Sequence, residues 1–396
     1  MEQLNQAGID QAQLNVLLKE IQHIGEESIR PNAADVDAKA RFPREGLDAI
    51  KKMGLMGAYI PKELGGMGLN ISQVAKICET LGQYCGSTAM IFAMHQIQVA
   101  CAVNHGLSNN HFKSYLKKVA SEQRLLASAT TEIGIGGDLR SSICAVETTG
   151  ELFTLTKNAP VISYGSEADD LFITARRMSD SPANDQVHVV VSREDYELEP
   201  TMSWDTMGFR GTCSEGFIVK SKGHIRQIIP APFAEILGQS MHPIAHILWS
   251  SLWLGVATDS VNMARAFVRD LLKKNPNAPQ TASLRLAEVH SILQEMRHNV
   301  YSCAQQYQQF LSENNADALD SFSFSVKINN LKISSSTLII DIVSRSLLIC
   351  GIAGYRNDTK YSLSRHLRDA YGASLMVNND RIMNHNATLL HMHRGD

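Results

Sequence analysis

The spacing of apolar residues changes twice along the chain and divides its 396 residues into three regions. Up to about residue 121, apolar positions recur every three to four residues, which is the spacing of helices packed on one face. From about 122 to 231, short runs rich in β-forming residues alternate with turn residues. Helical spacing then returns. We therefore predict an N-terminal helical domain over 1–121, a middle β domain over 122–231 and a C-terminal helical bundle over 232–396.

The individual elements follow from the same patterns. In the first region, helical spacing marks 12–29, 47–53, 71–85 and 88–103. In the second region, β-rich runs mark 153–156, 170–175, 187–191 and 215–219. In the third region, helical spacing marks 244–274, 282–311, 323–351 and 362–378. No helix-length pattern separates the β-rich runs, so the predicted fold class is α+β with an antiparallel β domain rather than repeated βαβ units.

Composition narrows the classes of partner. The net charge of -3 gives no basic field, so neither nucleic acid nor an anionic membrane is predicted as a partner. The first ten residues lack a secretion signal, and no run of about 18 apolar residues predicts a membrane span. Seven scattered cysteines without a CxxC pair indicate reduced thiols, hence a cytoplasmic location. The histidines show no metal-ligand spacing, so no metal is predicted.

Six motifs rich in glycine and charge follow one another in a fixed order. They lie at 42–69 (FPRE to PKELGGMGL), 130–138 (TTEIGIGGD), 161–169 (VIS to AD), 207–212 (MGFRGT), 351–355 (GIAGY) and 365–370 (RHLRDA). Read together, they resemble the motifs of the acyl-CoA dehydrogenase family, and the resemblance covers about residues 40 to 380. This order of motifs also agrees with the predicted order of helical, β and helical domains.

The resemblance implies an enzyme that holds one FAD per subunit. Two subunits would surround each FAD, which implies a homodimer or homotetramer. The implied reaction is oxidation of an acyl thioester, bound to coenzyme A or to a carrier protein, with hydride transfer to flavin N5. An electron-transfer partner or oxygen would be the electron acceptor.

The resemblance places flavin contacts on two segments of the β domain. Thr131 matches the family's threonine that hydrogen-bonds the isoalloxazine ring. Gly136 and Gly137 permit close backbone approach and exposed amides, although Gly137 replaces the usual serine. Ser163 occupies the position of a flavin-facing threonine whose hydroxyl would donate to N5. Val161 replaces a tryptophan, which leaves room beside the ring.

The adenine end of the cofactor is matched less closely. Gln280 and the residues after it resemble the family's glutamine segment, and the family's spacing leads back to Arg269 as a ligand of the neighbouring subunit's pyrophosphate. The family's Phe-Gly pair is absent, so a solvated helix arginine is the competing interpretation of Arg269. Gly351 and Gly354 belong to a loop that would offer backbone amides to the same dinucleotide.

The base that removes the Cα proton is missing from both positions that the family uses. Counting from Arg368 leads to Val377, and counting back from Gly255 leads to Ala245. Neither residue can accept a proton, whereas the reaction needs a positioned base. Four side chains near these positions are candidates to replace it: Asp380, His246, His242 and His385.

Several alternatives remain open at this point. Asp380 could form only a helix-capping ion pair with Arg381, and His246 could be a structural histidine. The empty positions also fit a flavin-dependent monooxygenase on the same fold, which uses reduced flavin and oxygen and needs no Cα base. A flavin-binding protein without catalytic activity is a third class.

Three residues are candidates for the wall of a substrate pocket: His95, Trp249 and Asn378. His95 lies where the family's N-terminal domain approaches the active site, and Asn378 follows the empty base position. Trp249 and Trp253 are four residues apart on an apolar helix, so a core stripe is the competing interpretation of Trp249.

Overall fold

A computed structural model of the chain describes residues 7–276 and 280–392. Its first part is helical, and π-helical residues Gly25–Ile29 join the first two helices. The α-helices of this part are Gln11–Ile24 (α1), Arg30–Lys39 (α2), Arg44–Lys52 (α3), Ile71–Gly82 (α4), Gly86–Gly106 (α5) and Asn110–Glu122 (α6). The pattern at 12–29 predicted one helix, but the π-turn ends it early and a second helix follows.

Two small sheets follow the N-terminal helices. Their strands are Leu126–Ala129 (β1), Glu147–Thr149 (β2), Leu152–Ile162 (β3), Asp170–Arg176 (β4), Gln186–Ser192 (β5), Tyr196–Met202 (β6) and Glu215–His224 (β7). One sheet has the order β1-β4-β5 and the other β2-β3-β7-β6. The strands pair in antiparallel fashion as predicted, with the exception of β1, which pairs with β4 in parallel. The chain passes through β2 and β3 of the other sheet between these two strands, so it re-enters the first sheet in the same direction.

The last part is again helical. Its α-helices are Phe233–Ile236 (α7), His242–Lys274 (α8), Thr281–Ser312 (α9), Ala316–Leu319 (α10), Phe322–Cys350 (α11), Ile352–Tyr355 (α12), Ser364–Leu375 (α13) and Asn379–Met392 (α14). The predicted helix at 362–378 ends at Leu375, because Val377 and Asn378 adopt positive φ angles of 55° and 48°. The overall architecture confirms the predicted fold class of helical, β and helical parts.

Two of the described helices, α5 and α11, are long and apolar enough to cross a membrane by length and composition alone. The most apolar window of α5 is 94% buried inside the protein, as in the core helix of a folded domain. The corresponding window of α11 is 44% buried, and this helix packs against α8, α9, α13 and α14.

Helices α4 and α8 cross at two glycines, which joins the N-terminal helices to the C-terminal bundle. A Cβ built on Gly82 would lie 3.2 Å from the Cα of Gly255 and would collide with the carbonyl oxygen of Leu252. A Cβ on Gly255 would collide with the carbonyl oxygen of Glu79. The two backbones are therefore in direct contact, and this contact requires glycine on both helices.

We expect Gly255→Ala to lower the free energy of unfolding by about 1–3 kcal/mol, because the added methyl group must push two backbones apart. Gly238→Ala is the matched control, since a Cβ there approaches the movable side chain of Asp320, with Oδ1 at 3.2 Å. Urea denaturation of both variants measures the difference. Equal stability of the two variants would contradict a close crossing of α4 and α8.

Candidate functional site

A buried carboxylate, Glu132, closes the loop between β1 and β2. Its Oε2 accepts hydrogen bonds from the Ser142 hydroxyl at 2.7 Å and from the Ile143 amide at 3.0 Å, and its Oε1 accepts one from the Cys144 amide at 2.6 Å. Lys157 Nζ lies 3.3 Å from Oε2, and the Lys157 side chain is fully buried. One residue at the start of the loop thus holds three residues at its end.

Glu132 and Lys157 form a buried pair in which the surroundings favour the carboxylate form of Glu132. Burial by itself would raise the pKa of Glu132, but the charge of Lys157 and the donated hydrogen bonds outweigh it and lower that pKa. Burial lowers the pKa of Lys157, while Glu132 acts in the opposite direction. Lys157 Nζ also donates to the backbone oxygen of Thr174 at 2.7 Å. The ammonium group therefore has acceptors for its protons although it is removed from water.

The tip of this loop is rich in glycine and docks on α14. Gly134, Gly136 and Gly137 have φ angles of 97°, 59° and 76°, which residues with a side chain rarely adopt. The guanidinium of Arg381 donates to the carbonyl oxygens of Gly136 and Gly137. The amides of these two glycines have no hydrogen-bond acceptor among the residues that the structure describes. The tip therefore presents free amides, with its carbonyl groups held from the other side.

The structure brings together the two segments that were predicted to contact a flavin. The Thr131 hydroxyl donates to the carbonyl oxygen of Val161 at 2.8 Å. Ser163 is 9% exposed, and its hydroxyl accepts a hydrogen bond from Ser214 at 2.8 Å. The Ser163 proton remains available for donation, because no acceptor for it lies among the described residues. The free Ser163 proton fits the polar edge of a flavin ring, whereas the Thr131 hydroxyl, which already donates to Val161, could only accept a further hydrogen bond.

Backbone strain is concentrated beside Ser163. Tyr164, Phe209 and Cys213 have φ angles of 46°, 49° and 44°, a conformation that costs bulky residues about 1–3 kcal/mol each. The Tyr164 amide donates to the carbonyl oxygen of Thr212 at 2.8 Å, which ties the strained turns to each other. Such strain is typical of functional sites, where the surrounding structure holds it in place.

Arg269 and Gln280 lie in another part of the molecule. Arg269 lines a surface recess of about 460 Å³ between α8 and α9, whose other lining residues are Arg265, Val268, Leu272, Lys273 and Leu286. Gln280 is exposed and precedes the first residue of α9. No contact joins either residue to Thr131 or Ser163 within the described chain. Their assignment to the cofactor of a neighbouring subunit stays a prediction.

The glycine loop after α11 requires a correction. The amide of Gly351 donates to the carbonyl oxygen of Leu347 at 2.8 Å, and the amide of Gly354 donates to that of Gly351 at 3.0 Å. Neither amide is free for a dinucleotide, because both are used to end α11 and to form α12. The amides of Ile352 and Ala353, at the start of α12, are the ones that this loop leaves without an acceptor.

His95 does not line a pocket, contrary to the sequence-based expectation. It is fully buried, and burial lowers its pKa to about 4. Its Nδ1 accepts from the Leu126 amide at 3.1 Å, so its Nε2 carries the proton that is donated to the carbonyl oxygen of Met56, 2.8 Å away. His95 joins the N-terminal helices to β1 and has no ring nitrogen left for a substrate.

The other two pocket candidates lie in different environments. Trp249 is half-buried beside His246, with ring centroids 5.9 Å apart, and its buried Nε1 has no hydrogen-bond partner in the described chain. Asn378 is exposed, and its Oδ1 accepts from the Asp380 amide at 3.0 Å. Asn378 therefore caps the start of α14. Trp253 is fully buried, as expected of a core residue.

The candidate bases comprise one buried histidine, His246, two half-buried histidines, His242 and His385, and the exposed carboxylate of Asp380. Burial first, and then the neighbouring His242 and Lys332, lower the pKa of His246 well below its usual value. His246 Nδ1 lies 3.3 Å from the carbonyl oxygen of Ile328. Burial likewise lowers the pKa of His242 and of His385. These histidines are held in the neutral form, and protonating them is costly.

Asp380 is the candidate base of the 377–381 segment that carries a carboxylate. Its side chain is exposed and makes no ion pair within the described chain, because Arg381 binds the glycine loop instead. The alternative of an Asp380–Arg381 pair was therefore wrong. Val377 occupies the empty base position with a φ of 55°, which is strained for a β-branched residue.

Sequence reasoning missed three residues of this region: Glu132, Lys332 and Arg381. Lys332 is fully buried, donates to Asn379 Oδ1 at 2.6 Å, and has its pKa lowered to about 8 by burial. A lysine within the apolar pattern of 323–351 was the signal that could have revealed it. No group of three or more His, Cys, Asp or Glu side chains gathers in a metal-binding arrangement within 7–276 and 280–392.

Comparison with known proteins identifies the relatives of this chain. Residues 12–123 match the family model described as the acyl-CoA dehydrogenase N-terminal domain. The short-chain-specific acyl-CoA dehydrogenase of Clostridium acetobutylicum is 21% identical over 88% of this chain and 90% of its own length. A cyclohex-1-ene-1-carbonyl-CoA dehydrogenase of Geobacter metallireducens is 28% identical over 49% of this chain and 51% of its own length.

Solved structures share the fold over almost the whole chain. The FMN-bound TdsC of Paenibacillus sp. A11-2 has a TM-score of 0.83 at 18% identity, covering 96% of this chain and 98% of that one. The butyryl-CoA dehydrogenase of Megasphaera elsdenii has a TM-score of 0.81 at 18% identity, with 95% and 97% covered. Fold, ordered motifs and relatives together define an acyl-CoA dehydrogenase-like protein. Residues 12–123 match that family's N-terminal domain, and the chain is similar to acyl-CoA dehydrogenases over most of its length.

We expect Glu132→Ala to lower the free energy of unfolding by about 3–5 kcal/mol, because it leaves the buried Lys157 ammonium without its counter-charge. The double variant Glu132→Ala with Lys157→Met should recover most of that loss, since no buried charge is left unpaired. Urea denaturation of the single and double variants tests this. Additive effects of the two substitutions would show that the pair is not coupled.

Proposed function

We propose that this chain is a flavin-dependent oxidoreductase that binds FAD and oxidises an acyl thioester carried by coenzyme A or by a carrier protein. One observation supports this most directly: Arg381 docks the 377–381 segment on the glycine loop that the flavin would contact. The cofactor loop and the segment where the family keeps its base therefore lie against each other. The length and fold shared with acyl-CoA dehydrogenases support the choice of substrate class.

The residues present would hold a flavin at two places. Ser163 would donate its free hydroxyl proton to the ring, and Thr131, itself bonded to Val161, would contact the same edge. The free amides of Gly136 and Gly137 would face the phosphate part of the cofactor. A bound flavin supplies the acceptor for the hydride that leaves Cβ of the substrate. Arg269 and Gln280 would serve the cofactor of a second subunit, so we propose a homodimer or homotetramer.

Asp380 is a better candidate for the base than His246. A base must be free to accept a proton from Cα, and Asp380 has an exposed carboxylate without an ion pair. His246 is buried, and its low pKa makes it a weak proton acceptor. We propose that a bound acyl chain removes water from around Asp380, which favours transfer of the Cα proton to its carboxylate.

The proposal is tested by mixing protein reconstituted with FAD with a panel of saturated acyl thioesters under anaerobic conditions. We expect the visible absorbance of the oxidised flavin to bleach with at least one thioester, because hydride transfer reduces the ring. Asp380→Asn should lose at least about a hundredfold in bleaching rate, because it removes the proton acceptor. His246→Asn is the matched control and should bleach at a rate close to that of the unaltered protein.

Two outcomes would overturn parts of this proposal. Bleaching that survives in Asp380→Asn but fails in His246→Asn would transfer the role of base to His246. The absence of bleaching with every thioester, carried by coenzyme A or by a carrier protein, would rule out the dehydrogenase reaction. A chain that cannot be reconstituted with FAD or FMN would rule out the whole proposal.

Monooxygenation is the second candidate, and two observations favour it. The base position holds Val377, and the half-buried Val161 stands where the family resemblance implies a larger tryptophan beside the ring. The FMN-bound TdsC, which shares the fold, is named as a dibenzothiophene monooxygenase in another of its structures. Oxygen consumption and a hydroxylated product after supply of reduced flavin, without anaerobic bleaching by thioesters, would establish this reaction instead. In either case we propose a cytoplasmic enzyme.

A further inference from the structure

We infer that Lys332 is a positioning residue of the candidate site, retained at a cost in stability: through Asn379 it holds the turn between α13 and α14 that leads into Asp380. The role of Asp380 rests on the proposed function, whereas the hold on the turn is a property of the fold itself. Three features support the inference: the backbone of the turn, the hydrogen bonds that reach it from α11, and the burial of Lys332 without a counter-charge.

The turn between α13 and α14 has an unfavourable backbone. Val377 and Asn378 have φ angles of 55° and 48°, in the left-handed region that glycine adopts most easily. Two consecutive residues of this kind persist only where surrounding contacts hold them. Within the turn, the Asn378 amide donates to the carbonyl oxygen of Leu375 at 3.1 Å. Further contacts come from α11.

Lys332 and Ser336, one turn apart on α11, bind both ends of this segment. Lys332 Nζ donates to Asn379 Oδ1 at 2.6 Å, and Asn379 Nδ2 donates to the Ser336 hydroxyl at 3.0 Å. On the other side, the Ser374 hydroxyl donates to the carbonyl oxygen of Ser336 at 3.2 Å. Asp380 follows Asn379 directly, so the position of its backbone depends on these bonds.

Lys332 is buried without a counter-charge. Its side chain is fully buried, and it forms no ion pair with a carboxylate within 7–276 and 280–392. Burial lowers the pKa of Lys332 to about 8. On α8, the ring of Trp253 lies 6.0 Å from Nζ, at the outer limit of a cation–π contact, and His246 is neutral because its pKa is lowered. The hydrogen bond to Asn379 is therefore the main polar contact of the ammonium group in the described chain.

A buried ammonium group without a counter-ion lowers the stability of the fold. Its removal from water costs free energy that one hydrogen bond to a neutral acceptor does not recover. An apolar side chain of similar length, such as methionine, would fill the same space without that cost. Such a side chain could not donate the charge-assisted hydrogen bond that holds Asn379. The chain thus keeps a less stable residue where the 377–381 segment needs a donor, as proteins do at functional sites.

The structural part of the inference is tested with Lys332→Met in the full chain, without any substrate. We expect its urea midpoint to rise, because the unpaired charge is gone. Hydrogen exchange of 377–383, measured by mass spectrometry, should become about tenfold faster, because the turn has lost a charge-assisted hydrogen bond. Lys327→Met is the matched control and should change neither measurement, since Lys327 is half-buried on the same helix and makes no hydrogen bond to α14 in the described chain.

Two results would overturn this part. A lower urea midpoint, or failure of Lys332→Met to fold, would mean that the lysine stabilises the core and is not retained at a cost. Unchanged exchange in 377–383 would mean that Lys332 does not hold the turn. Asn379→Ala gives a second measurement, because it removes the acceptor and keeps the lysine. It should also speed exchange in 377–383, and unchanged exchange in this variant would contradict the hold through Asn379.

The functional part is tested on protein reconstituted with FAD, with a thioester that bleaches the flavin of the unaltered chain. Lys332→Met should lower the bleaching rate at saturating thioester by about tenfold and leave the half-saturating concentration and the FAD affinity unchanged, because only the placement of Asp380 is disturbed. The double variant Lys332→Met with Asn379→Ala should be no slower than the slower single variant, since the two residues act through one contact. Multiplied losses, or a loss confined to the half-saturating concentration, would overturn positioning through Asn379.

This inference and the proposed function can fail separately. The absence of bleaching by every thioester would overturn the proposed reaction and the role of Asp380 in it, while the exchange and urea measurements still decide whether Lys332 holds the turn. Bleaching of the unaltered chain at a rate that Lys332→Met retains would overturn the role of Lys332 and leave the proposed reaction standing.

Discussion

The candidate site depends on one interaction, the closure of the β1–β2 loop by Glu132. A single carboxylate accepts hydrogen bonds from three consecutive residues, Ser142 to Cys144, and is held ionised by the buried Lys157. The ordering of a loop costs conformational entropy, and these bonds at its base offset part of that cost. Because the base of the loop is fixed, its glycine tip can adopt left-handed turns and keep the amides of Gly136 and Gly137 unpaired.

Arg381 connects this loop to the C-terminal bundle and so determines which residues of the bundle lie beside the loop. It binds the carbonyl groups of Gly136 and Gly137, whose amides have no acceptor among the described residues. It also brings Val377 and Asp380 close to the loop. Val377 occupies the family's base position but cannot accept a proton. Asp380 has a carboxylate but lies further along the chain. The same chain therefore keeps the features of a cofactor site more completely than those of a dehydrogenase active site.

Sequence patterns predicted the parts of the fold that depend on periodicity. The long helices α8, α9 and α11 and the strands β3, β4 and β5 follow from the spacing of apolar residues. The parallel pairing of β1 with β4 joins strands that are far apart in the sequence, and no local pattern of residues predicts it. Thr131 and Ser163 could be found because the motifs carry them. Arg381 could not, since its partner lies 244 residues away and is a backbone carbonyl group.

The role predicted for His95 was wrong for a similar reason. Its burial depends on how the whole molecule packs, and the local sequence does not encode it.

The central claim is that the glycine loop and the start of α14 together bind a flavin. Hydrogen exchange measured by mass spectrometry, with and without saturating FAD, tests it directly. Slower exchange in both 131–141 and 377–383 is the expected result. Tight FAD binding without protection of either segment would show that the flavin binds elsewhere.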